Sequence, residues 1–113
     1  MKLVNKGVTA ILPFNIFDAS GALKNATSLP IIKRVMVNGA ITTVASTSVE
    51  QQQDATPANI TGRYQVKIPT SSMAFNDQVQ VEVEATIDGV TLADDLMFTV
   101  INSAESRPRI DTL

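Results

Sequence analysis

The chain has 113 residues, of which 44% are hydrophobic and only 18% charged, with nine Lys and Arg set against eleven Asp and Glu. A net charge of −2 with scattered cations excludes the basic footprint that nucleic-acid binding requires. Histidine and cysteine are both absent, which excludes a disulfide framework, a thiol nucleophile, a Ser-His-Asp triad and any histidine-based metal site within the chain.

Length bounds the chain to one domain. Alanine, valine, threonine and isoleucine dominate, a composition that leans to strands. At the start, MKLVNKGVTAILPFNIF, Lys2 and Lys6 imitate the basic end of a secretion signal, but Pro13 and Asn15 interrupt the apolar run. No signal peptide is expected, and no segment approaches the length of a membrane span.

Val8 to Phe17 reads as a strand. Proline cannot donate to a sheet ladder, so Pro13 makes it either an edge strand or two short pieces. Residues 18–30, DASGALKNATSLP, are a turn-rich connection. IIKRVMV, then Asn38-Gly39, then AITTVA predicts a hairpin over residues 31–45, because a type I′ turn needs positive φ at both central residues. Residues 46–59, STSVEQQQDATPAN, show no apolar periodicity and are expected to form an exposed loop.

In RYQVKI, Tyr64, Val66 and Ile68 alternate with Arg63, Gln65 and Lys67, giving one dry face and one wet face. The cleanest pattern is QVQVEVEATI, residues 78–87, joined by Asp88-Gly89 to VTLADDLMFTVI, residues 90–101. With Asp88 and Gly89 as the loop, Ile87 faces Val90, Ala85 faces Leu92, Val81 faces Leu96 and Val79 faces Phe98. In the same register Glu82 opposes Asp95, a destabilising like-charge pair, so a β-bulge is expected around Ala93-Asp94-Asp95. Met97 and Ile101 fall on the wet face, and their cover is expected from another segment or another chain.

About six or seven strands with short turns and no helix predict an all-β fold, an antiparallel immunoglobulin-like β-sandwich. The boundaries are an N-terminal arm over 1–7, the sandwich over 8–101 and a C-terminal arm over 102–113. The C-terminal arm is expected to be held by a neighbouring subunit or to pack back onto its own domain. The lone tyrosine reads as a tyrosine corner: Gly62 permits a tight approach, and the Tyr64 hydroxyl finds backbone within residues 59–61. Its ring is expected in the core with Phe14, Phe17, Phe75 and Phe98.

GRYQVKIP, DQVQVEVEATIDGV and MFTVIN, spread over residues 59–102, together resemble a small immunoglobulin-like module of tailed-bacteriophage virion proteins. That module runs from a Gly-x-Tyr-x-Val strand through a Val-x-Val hairpin to a Phe-x-Val strand. The resemblance implies a non-enzymatic virion protein without a cofactor. Its leading form is a capsid decoration or cement protein whose partners are other virion proteins, chiefly the major capsid protein, with self-association as a further expectation. A tail, neck or fibre-attachment component is the alternative within virions. A carbohydrate-binding or adhesion module using residues 46–59 is the alternative outside them.

The expected partner-binding residues are the apolar and basic members of the arms together with the uncovered strand end: Leu3, Val4, Met97, Ile101, Arg107, Arg109, Ile110 and Leu113. The carboxylates Glu82, Glu84, Asp94 and Asp95 read as a solvated sheet face rather than an acid pair or a calcium site.

Overall fold

The strongest alternation in the chain becomes its central hairpin. In a computed structural model, which describes residues 2–102, eight strands form two sheets and no helix occurs among the described residues. They are β1 (Lys2–Asn5), β2 (Ala10–Asn15), β3 (Ile31–Val37), β4 (Ala40–Ile41), β5 (Ser48–Gln53), β6 (Asn59–Ile68), β7 (Gln78–Ile87) and β8 (Val90–Ile101). The larger sheet has the order β1-β8-β7-β3-β4, and the smaller one β2-β6-β5. All pairings are antiparallel except β1 with β8.

Both predicted turns form. Asn38 and Gly39 have φ of 51° and 84°, and Asp88 and Gly89 have 51° and 76°, the left-handed pairs that a type I′ turn needs. The β7–β8 register is the expected one, with Ile87 opposite Val90, Ala85 opposite Leu92, Val81 opposite Leu96 and Val79 opposite Phe98. Between the sheets lie Val66 and Ile68 of β6, Val79 and Val81 of β7, and Phe98 and Val100 of β8, all essentially without solvent contact. Each such side chain contributes roughly 1.5–3 kcal/mol of transfer free energy. Pro13 stays in register opposite Gln65, and β2 is the edge of its sheet, where a missing donor can face outward.

Four expectations need correction. Residues 2–5 are not a free arm: β8 reaches far enough that its outer edge at Phe98–Ile101 accepts KLVN as a parallel strand. Residues 48–53 form β5 rather than loop, because the dry positions opposite Val66 and Tyr64 are filled by one valine, Val49, and by Gln51, whose amide bonds within the fold. No bulge interrupts β8, so Glu82 stands opposite Asp95 and Val83 opposite Asp94. Instead the register shifts in β3, between Ile32 and Arg34, and in the β5–β6 pairing, where Gln51 to Gln53 faces the longer stretch from Tyr64 to Asn59. Finally, Phe17 and Phe75 are exposed, leaving Phe98 as the buried phenylalanine, with Phe14 half-buried at the rim of the core.

Thr70 is the buried polar side chain of the core. Its hydroxyl accepts from the Gly7 amide at 2.9 Å and donates to the Val8 carbonyl at 2.7 Å. It thereby fixes the link between β1 and β2, which lie in different sheets.

Candidate interaction surfaces

Tyr64 is 3% exposed, stacked on Phe14 with ring centroids 5.8 Å apart. Its hydroxyl accepts from the Ala26 amide at 3.0 Å, so the partner lies in the 18–30 connection and not within residues 59–61. The same connection crosses Gly62. A Cβ built on Gly62 would lie 2.8 Å from the Lys24 nitrogen and 2.9 Å from the Ile16 oxygen, and its φ is +72°. The Gly62 amide donates to Asn25 Oδ1 at 2.8 Å, and Gln51 Nε2 donates to the same oxygen. Gly62 and Tyr64 are therefore architectural, pinning a long crossover onto β6.

The outer face of the larger sheet is sorted along its length. One cross-strand row runs Ile41, Met36, Gln80, Met97 over β4, β3, β7 and β8. The adjoining row carries Gln78, Thr99 and Leu3, followed by Ile101 beside Asn5. Leu3, Met97 and Ile101 are thus brought onto one face, joined by Met36 and Ile41, which sequence reading missed. Ile41 is 72% and Met97 50% exposed, while Leu3, Met36 and Ile101 are half-buried. Val4 does not belong here: alternation turns it inward, where it is 6% exposed and packs in the core. Arg107, Arg109, Ile110 and Leu113 lie outside the described residues.

Further along the same face the residues are charged. Arg34 grips Glu82 through two nitrogens, Nη2 at 2.9 Å and Nε at 3.1 Å from Oε2, and Lys33 lies 3.2 Å from Glu84. Each of the two strand glutamates therefore has a cation. This is why the like-charge register survives: β3, which is distant in sequence, supplies the guanidinium that offsets Glu82 beside Asp95. No group of three or more metal-capable side chains occurs among the described residues.

A second apolar feature lies where the sandwich gapes between β2 and β8. This seam of about 350 Å³ is lined by Phe14, Phe17, Val83, Leu92, Asp94 and Leu96 among others. Beside it the outer edge of β8 from Val90 to Met97 has no strand partner among the described residues, because β1 covers only Phe98–Ile101. At the opposite flank, Glu50, Gln51, Gln53, Asn59 and Gln65 line a shallow groove rich in amides and without an aromatic ring.

Comparison with known proteins finds no matching family model, no matching curated protein and no matching solved structure.

Proposed function

We propose that this protein is a non-enzymatic component of a tailed-phage virion, a capsid decoration or cement protein that binds the outer shell through protein–protein contacts. The observation that carries this reading is the apolar end of the larger sheet's outer face. There Ile41 and Met97 stand exposed in one cross-strand row with Met36 and Gln80. A sheet face with uncharged, flexible methionine and amide side chains at one end and ion pairs at the other suits docking on a protein surface. Many copies on a repeating shell would make even a weak single contact effective. The resemblance of residues 59–102 to virion modules supports the virion as the location, and on this reading the partner is the shell's major capsid protein.

The test uses empty shells assembled from the major capsid protein encoded in the same genome. The chain is expected to co-sediment with the shells and raise their melting temperature, whereas Ile41→Glu with Met97→Glu is expected to remain folded and stay in the supernatant. Binding confined to tails, necks or fibres would replace this reading with the attachment role. Binding to glycans without any virion component would move the function to the amide-lined groove.

A further inference from the structure

We infer that residues 103–113 of a second copy add as a strand to the open edge of β8 over Val90–Met97, with Arg107 or Arg109 beside Asp95 and Ile110 turned into the seam between β2 and β8. The inference goes beyond the shell-docking reading, since it concerns a different surface and a different partner.

Three observations specify the occupant. The first is the charge along one row of the larger sheet. Across β3, β7 and β8 it reads Arg34, Glu82, Asp95, two neighbouring carboxylates with a cation on one side only. Among the described residues Asp95 has no cation within ion-pair distance. An arginine on a strand added outside β8 completes the row as cation, anion, anion, cation. Guanidinium is the group best suited to do so.

The second is the parity of the arm. In an extended RPRI, residues 107–110, Arg107 and Arg109 point to one face and Pro108 and Ile110 to the other. On β8, Asp95 and Met97 face outward while Leu92, Asp94 and Leu96 face the seam. With the arginines outward, Ile110 turns toward the seam, where Leu92, Leu96 and Phe14 offer apolar surface around Asp94 and Leu92 is 49% exposed. Pro108 is acceptable because the added strand is outermost and its missing donor can face solvent.

The third is reach, which decides between the chain's own arm and a neighbour's. Asn102 lies seven residues beyond Asp95, roughly 24 Å along β8. The Cα of Arg107, five residues past Asn102, can lie at most about 18 Å from it, too near to take a cross-strand position beside Asp95. Arg109 could span the distance only when fully extended straight back along β8, and β1 occupies that path at Phe98–Ile101. A second copy meets neither limit. One-way exchange builds a ring or chain of copies, and reciprocal exchange closes a two-fold dimer.

The experiment is analytical ultracentrifugation of the full chain over a concentration series, with circular dichroism as the folding control. The native chain is expected to associate with increasing concentration. Arg107→Glu with Arg109→Glu in one variant, and Asp95→Arg in another, are each expected to weaken self-association at least about tenfold. An equimolar mixture of the two folded variants is expected to associate again, because each acidic arm then meets an arginine edge and each basic arm an aspartate edge. A native chain that stays monomeric at every concentration, variants that associate as the native chain does, or a mixture that fails to associate would each overturn the inference. The Ile41→Glu, Met97→Glu variant keeps both arm and edge, so it is expected to self-associate even while losing the shell, which separates this inference from the proposed function.

Discussion

The hydroxyl of Tyr64 and the amide of Ala26 meet at 3.0 Å across 38 residues of sequence, and this bond ties the 18–30 crossover to the strand at the centre of the smaller sheet. Removing the hydroxyl leaves the amide without its acceptor while the ring still fills its place against Phe14. Tyr64→Phe is therefore expected to lower the unfolding free energy by about 1–2 kcal/mol, read by urea denaturation with an unchanged slope.

Gly62 gives the crossover room to lie on β6. Any side chain there meets backbone, which cannot move aside as a flexible side chain would, and must also adopt a left-handed φ of +72°. Gly62→Ala is expected to cost about 3 kcal/mol or more, a larger loss than Tyr64→Phe in the same denaturation series.

At the top of the β1–β2 link, Thr70→Val keeps the shape and removes the hydroxyl contacts to Gly7 and Val8 and the longer one to the Asn5 carbonyl. The expected loss is about 1–3 kcal/mol. Because the link holds β1 against β8, amide exchange should rise first in Lys2–Asn5.

The pH dependence follows from the carboxylates that bond to turn and strand groups. Asp18 is held below its ordinary value by the Ser20 hydroxyl and the Ala22 amide, Glu50 by Lys67 and Gln65, and Asp54 by the Thr56 hydroxyl with the Thr56 and Ala58 amides. A depressed folded value contributes stability that is present above the unfolded value and is lost as pH falls through the folded one. Lys24 is raised by Asp88, so its contribution is present below the unfolded lysine value and lost as pH rises through the folded one. With no histidine or cysteine to titrate between these ranges, the melting temperature is expected to be flat from about pH 5.5 to 9 and to fall below about pH 4. All four groups are solvent-exposed, so the acid slope should be shallow and should weaken further in salt. A step near pH 6.5 in a differential scanning series would contradict this.

The β7–β8 hairpin was legible to the residue because its turn and its alternation are local: Asp88-Gly89 sets the register and ten residues of β7 repeat the dry-wet pattern. What escaped sequence reading depended on residues far apart. The bulge expected from Glu82 and Asp95 does not form because Arg34, on a strand that only the fold brings alongside, pairs with Glu82 and offsets one of the two charges. β5 was hidden because glutamine can occupy a dry-side position when its amide finds Asn25 and Ile60, a match that no local pattern reveals. β1 was hidden by its length, four residues being too few to show alternation. The outer-face surface was half legible: Met97 and Ile101 broke the wet pattern of β8 and so drew attention, whereas Met36 and Ile41 looked like ordinary hairpin residues until the sheet order placed them in the same row.

On the proposed function, that exposed row is the contact surface for assembled protein. Co-sedimentation of the native chain and of the Ile41→Glu, Met97→Glu variant with purified shells tests it directly. Saturable binding of the native chain, with a loss of at least about tenfold in the folded variant, is the expected result. Equal binding by both, or binding by neither, would contradict it.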